Sequence, residues 1–207
     1  MPPLAQIAVP GADQRSVEIL DRVRLAFAQK GFDGASMQDL ARAAGMSVGN
    51  FYRYFPSKSA IIEALIARDM HELEQDFHAI TRSPDARAAL REVIVRRVSS
   101  TPCPRDSAIM AEITAAAFRK PEVAAIARRM EDSVTEYMTA TFARITGIPP
   151  DDCARRFEGH ARLIIMLVKA TLCDTGHGER ARADLTDLVL RNIDRTLDDV
   201  VADVSRG

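Results

Sequence analysis

Only three cysteines occur in the chain, Cys103, Cys153 and Cys173. Their number is odd, their spacing wide and no CxxC pair is present. This excludes a disulfide framework or a zinc finger and points to buried structural thiols, with redox sensing as the lesser alternative. No apolar run approaches the roughly 20 residues of a membrane span. The opening MPPLAQIAVPGADQ lacks the basic start and continuous apolar stretch of a signal peptide, so a cytoplasmic protein is expected, with residues 1–12 as a loose arm. Alternating strand patterns are missing, as are a glycine-rich phosphate loop and any motif-spaced nucleophile, base and orienting acid. The expectation is an all-α fold that is not an enzyme and takes no cofactor. A surplus of positive charge is missing too, and the formal net charge of −1 argues against indiscriminate binding to nucleic acid.

Charge is nonetheless uneven. Through Ala60 seven basic residues stand against five acidic ones, a net of +2, which leaves −3 for the remainder. With 207 residues and 47% hydrophobic content the chain can bury a substantial core, and the charge split favours a small basic domain on a larger acidic body. Affinity for a polyanion would then rest on specific fit and on two copies acting together.

The most informative stretch is SMQDLARAAGMSVGNFYRYFPSK, from Ser36 to Lys58. Ser36 and Asp39 have capping-box spacing, so a helix starts near Met37. Gly45 sits where that helix must stop and reverse, a position that commonly needs φ > 0. Ser47 can cap the next helix. Two helices this short must cross steeply and pack on a third. The run from Gln14 to Lys30 supplies it, with Ile19, Leu20, Val23 and Phe27 at core spacing and Gly31 at its end. At about 100° per residue, Val48, Phe51, Tyr52 and Phe55 fall on one side of the second helix, and Gly49, Asn50, Arg53 and Tyr54 on the other. Arg and Asn can make bidentate hydrogen bonds to guanine and adenine edges, and Gly49 lets the backbone come close to a duplex. In the first helix Met37, Leu40, Ala41 and Ala44 face inward. Gln38 and Arg42 face outward, where they can reach the DNA backbone or the groove rim. After Pro56, Ser57 caps a further helix with Lys58 in its first turn, where free N–H groups and a lysine would together attract a phosphate. The layout is that of a DNA-reading helix-turn-helix.

From Ala44 to Lys58 the chain resembles the TetR family of bacterial transcriptional regulators, matching its A-G-x-S-x-G-x-x-Y-x-x-F-x-S-K pattern. The resemblance covers about residues 13 to 73. It implies that Tyr52 is the phosphate-contacting tyrosine, Tyr54 the following aromatic contact and Lys58 the lysine at the helix start. Asn50 stands where the family commonly has a small or hydroxyl residue, and Ser59 where it commonly has an acidic one. The expected DNA contacts are thus Gln38, Arg42, Ser47, Gly49, Asn50, Tyr52, Arg53, Tyr54 and Lys58.

Beyond Ala60, Ile62, Ile66, Met70, Leu73, Phe77 and Ile80 describe one long connecting helix to about Arg82. Further helices are expected toward Ser99, from Arg105 to Ala117, Pro121 to Ile145, Asp151 to Thr175 and Arg180 to Val204. Residues 13–60 would form the helix-turn-helix domain and 61–207 a helical effector-binding and dimerisation domain. Leu163 to Val168 is apolar almost all round, and the last helix repeats Leu185, Leu188, Val189, Ile193, Leu197, Val200 and Val204. Two copies of this hairpin can form an isologous four-helix interface, as the family resemblance also implies. Met70, Met110, Phe118, Met130, Tyr137, Met138 and Phe142 could line an adaptable apolar cavity for a small-molecule effector, although such a stripe is more often core. His71, Glu74 and His78 share a face of the connecting helix, opposite the apolar stripe, and read as solvated residues rather than a metal site.

The function expected is a dimeric transcriptional repressor released from a near-palindromic operator by an effector. Two alternatives stay open: a helical small-molecule-binding or catalytic protein without DNA binding, and an effector-independent DNA-binding activator.

Overall fold

The computed structural model describes residues 14–99, 104–172 and 178–204. The expected N-terminal arm, Cys103, Cys173 and most of the GHG break lie outside the described residues. Among these residues there are nine helices and no strand: α1 (Gln14–Gly34), α2 (Met37–Ala43), α3 (Val48–Tyr54), α4 (Lys58–Arg82), α5 (Ala86–Ser99), α6 (Pro104–Arg119), α7 (Pro121–Thr146), α8 (Pro150–Leu172) and α9 (Glu179–Val204). The fold is all-α. None of the described helices is long and apolar enough to cross a membrane.

Helix α1 is interrupted at Gly31, where the sequence places its end. The chain kinks there, with φ +71° and ψ 168°, and helix resumes as far as Gly34. A left-handed φ is open to glycine at little steric cost, so the regular helix ends at this residue and the turn that follows is a separate short piece. α4 is continuous, as its three- and four-residue apolar spacing requires, with Ile62, Ile66, Met70, Phe77 and Ile80 all buried.

Contacts divide the described residues into two compact units. The first holds α1 to α3, α4 through Glu72, α6 and α7 through Met130. The second holds α4 from Leu73, α5, α7 from Glu131, α8 and α9. This grouping follows a different line from a boundary at residue 60, because α6 packs along α1. Phe27, Phe51, Leu20, Leu40, Ile61 and Leu65 fill the core of the first unit.

In the second unit α8 packs on α9 and α5 packs on both. Phe142, Phe157, Ile80, Leu90, Ile164 and Ile193 are buried there. Arg91 on α5 grips Asp194 on α9 through Nε at 2.7 Å and Nη2 at 2.9 Å, and Arg87 pairs with Asp198 one turn further along α9. These pairs are solvent-exposed and set register more than they add stability. Cys153 is a buried free thiol whose pKa burial pushes up, which suits a packing role and opposes thiolate chemistry.

Candidate nucleic-acid interface

The helix-turn-helix is built from backbone groups satisfied one by one. Ser36 and Asp39 form a complete capping box: Ser36 Oγ accepts from the Asp39 N–H at 3.1 Å, and Asp39 Oδ2 accepts from the Ser36 N–H at 3.0 Å. Lys30 donates to the same carboxylate at 2.7 Å. These bonds, Lys30 foremost and then Ser36, hold the Asp39 carboxyl well below the usual carboxylate range.

At the other end of α2 the Gly45 N–H donates to Arg42 O at 3.0 Å and the Met46 N–H to Ala41 O at 2.9 Å, the paired bonds of a Schellman turn, with Gly45 at φ +70°. Arg22 of α1 donates to Ala44 O at 3.3 Å, and a Cβ on Gly45 would lie 3.1 Å from that guanidinium. Gly45 is therefore held by both its φ and its neighbour. Ser47 then caps α3, its Oγ accepting from the Asn50 N–H at 3.3 Å.

One side of α3 is anchored by Phe51, fully buried, whose ring lies 5.4 Å from that of Phe55. Gly49, Tyr52 and Arg53 are exposed, with Asn50 and Tyr54 half-buried at the margin. Two residues differ from the helical-wheel expectation. Val48 and Tyr52, expected on the packed side, are 37% and 47% exposed. A seven-residue helix has fewer than two full turns with which to touch the core, and Phe51 in it and Phe55 at its C-cap take up that contact. Gln38 and Arg42 of α2 are exposed beside this face, and Ser47 is exposed at its edge. A side chain at Gly49 would meet nothing within 4 Å, so neither steric crowding nor a left-handed backbone inside this chain calls for glycine there.

Lys58 does not point outward. Its Nζ donates to the carbonyls of Phe32 at 2.7 Å, Ala35 at 3.1 Å and Asp33 at 3.4 Å, and lies 5.0 Å from the centroid of the Phe32 ring. The three N–H groups of the ammonium are thus taken up at the end of α1. The sequence pattern also gave no sign of Arg22 or Glu112. Both act on backbone groups far along the chain, and such pairings leave no periodic trace.

The expected effector residues divide between the units. Met70 is buried and Met110 and Met130 are half-buried in the first. Phe118, expected to line a cavity, projects from the end of α6 with 89% of its surface exposed, a correction that follows from its place in the last turn. In the second unit Tyr137, Met138 and Phe142 are buried. Tyr137 stacks on Phe77 at 5.1 Å and donates to Glu74 Oε1 at 3.2 Å, and burial together with that carboxylate pushes its phenol up to about 12. Glu74 therefore turns toward α7 and not away from the apolar stripe as its helical position suggested. His78 Nε2 lies 3.9 Å from it, and no group of three metal-ligating side chains is assembled among the described residues.

Comparison with known proteins agrees with this geometry. The family model for bacterial regulatory proteins of the tetR family matches residues 19–65, which run from the middle of α1 into α4. The HTH-type transcriptional regulator UidR of Escherichia coli (strain K12) is 29% identical over 129 residues, 61% of this chain and 64% of that relative's length. The HTH-type transcriptional repressor KstR2 of Rhodococcus jostii (strain RHA1) is 29% identical over 85 residues, 41% of this chain and 42% of the relative. The matches to these curated relatives thus span less than two thirds of their length. Among solved structures, Salmonella enterica GusR superposes with a TM-score of 0.71 at 26% identity, over 88% of this chain and 94% of that one. Family model, relatives and fold agree with the capped helix-turn-helix, and the chain belongs to the TetR family of bacterial regulatory proteins.

Proposed function

We propose that this protein is a dimeric transcriptional repressor that reads a near-palindromic operator through α3 and is released from it by a small-molecule effector. The observation that carries the reading is the outer face of α3: Gly49, Asn50, Arg53 and Tyr54 with the exposed Tyr52, behind a helix held by Ser47, Phe51 and Phe55. Asn50 and Arg53 read base edges, Tyr52 and Arg42 meet phosphates, and Gln38, Ser47 and Tyr54 complete the contact. Action on DNA implies a cytoplasmic location.

Dimerisation is supported by an apolar face on the α8 and α9 hairpin, where Leu163, Met166, Leu185 and Leu188 are all exposed. A dimer that reads successive major grooves must hold its two copies of α3 about 34 to 36 Å apart, one turn of duplex, which is why the operator should be nearly palindromic. Residues 61–207 carry effector binding and dimerisation in this proposal. Tyr137, Met138 and Phe142 are the effector candidates in the second unit, and Met70, Met110 and Met130 those in the first. An effector that favours the wrongly spaced state releases DNA by differential affinity alone.

The test selects duplexes from a random-sequence pool with the full chain, then measures their affinity for the Asn50→Ala and Arg53→Ala variants. Each variant should lose about 1 to 3 kcal/mol of discrimination between selected and scrambled duplex. Unchanged discrimination in both would refute the reading face. Failure of a folded dimer to bind any duplex would favour a helical small-molecule protein instead, and raised transcription on binding would make it an activator.

A further inference from the structure

The short segment from Gly31 to Ala35, which joins α1 to the helix-turn-helix, is gripped from two other helices at once. The kink at Gly31 takes the following N–H groups out of the regular helical ladder, and the Phe32 N–H donates to Glu112 Oε2 of α6 at 2.9 Å. That carboxylate sits 3.1 Å from where a Cβ on Gly31 would be, so the glycine also makes room for it. On the other side the carbonyls of Phe32, Asp33 and Ala35 converge on the Lys58 ammonium of α4. The Phe32 ring is 3% exposed and stacks 5.9 Å from Phe27, with the Lys58 and Lys120 ammonium groups 5.0 and 5.5 Å from its centroid. Arg119 and Lys120 hold the Asp33 carboxylate at 2.9 and 3.3 Å and pull its pKa down. One residue further on, Ser36 begins α2.

We infer that Lys58 and Glu112 are positioning residues for DNA reading: together they clasp the α1 to α2 junction and so fix the angle at which α2 and α3 leave α1. Lys58 acts here through the junction and not through a phosphate. Convergent carbonyls suit a compact ammonium with three donors, and a planar guanidinium fork cannot replace it. The inference rests on the proposed DNA reading and is separable from it.

Three measurements on the full chain decide the matter, with the selected duplex as probe and at a temperature where every variant is folded. The first is the salt dependence of affinity. A lysine leaving a phosphate lowers the slope of log K against log salt by about 0.9, or about 1.8 for a dimer. Lys58→Met is expected to lose affinity with the slope unchanged. The second is rescue: Lys58→Arg should fail to restore affinity, whereas a phosphate contact would accept arginine at least as well as lysine. The third uses Glu112→Ala, which removes a negative charge. Long-range electrostatics alone would leave affinity for DNA unchanged or raised, while the clasp predicts a loss of about tenfold per protomer, or about a hundredfold for a dimer, the scale of one charge-assisted hydrogen bond in each. Glu112→Gln, which keeps an acceptor oxygen, should recover most of that loss. Amide exchange at Phe32, read without DNA, should speed up in Glu112→Ala alone of these two.

A slope lowered by about 1.8 in Lys58→Met with full rescue by arginine would overturn the inference and restore the phosphate contact. A folded Glu112→Ala protein with an unprotected Phe32 amide and wild-type affinity would overturn it as well. If the wild-type chain selects no duplex, the DNA reading itself fails, and the inference fails with it.

Discussion

Gly49→Ala separates stability from function by giving them opposite signs. Gly49 is the second residue of α3, its φ is not left-handed, and an added methyl would meet nothing within 4 Å. Within the free protein the glycine therefore only costs backbone entropy. Glycine in a helix is roughly 0.5 to 1 kcal/mol worse than alanine, and at a second position, where the N–H has no intrahelical partner, the lower end applies. Alanine should accordingly stabilise the protein by about 0.5 kcal/mol, worth one or two degrees of melting temperature in a chain of this size. On DNA the sign reverses. A methyl on the face that approaches the groove holds the backbone off and loosens the Asn50 and Arg53 contacts, a loss of about 1 to 3 kcal/mol for the selected duplex. Thermal unfolding of the free protein and fluorescence anisotropy of the labelled duplex at fixed salt give the two numbers. An alanine variant that melts lower would show that Gly49 serves the fold, and one that binds the selected duplex as well as wild type would show that α3 does not approach a groove at this residue.

Other consequences are open to direct measurement. The folded-state pKa of Asp39 lies below its ordinary value of 3.8, so its contribution to stability is fully present above about pH 4 and is lost as pH falls through the depressed value. Acid titration of unfolding should therefore be shallower below pH 4 in Asp39→Asn than in wild type, and identical curves would mean the capping box does not form in solution. Met166→Glu places a charge on an exposed apolar face of α8, where the residue is 66% exposed, and should convert a dimer to monomers in sedimentation while leaving helical content unchanged. A dimer that survives both this change and Leu188→Glu would put the interface elsewhere. Phe142→Ala empties a fully buried site and should cost about 3 to 5 kcal/mol in denaturant unfolding; a cost under about 1 kcal/mol would mean that the second unit is loosely packed around it.

How much of this could be read without coordinates depended on how far apart in the chain the interacting groups lie. Ser36 with Asp39, Gly45 with Met46 and Ser47 with Asn50 act within one turn, so caps and turn were legible as residue types at fixed spacing. Apolar periodicity likewise gave every helix of the body to within a few residues, because period alone decides which face is buried. The wheel failed at Val48 and Tyr52, since in a helix of seven residues contact is limited by its length and not by the phase. The expected cavity lining failed at Phe118, which sits in the last turn of α6 and is 89% exposed.

The sequence by itself determined the helices, their caps and the polar set on α3, because each is specified by neighbours a few residues away. Tertiary structure alone decided that Lys58 turns inward to carbonyls 23 to 26 residues back and that Glu112 reaches 80 residues to the Phe32 amide. It alone decided that Tyr137 engages Glu74 across 63 residues. A charged side chain looks the same in sequence whether it meets solvent, a phosphate or a carbonyl, and only the packing of the helices settles which of these lies within its reach.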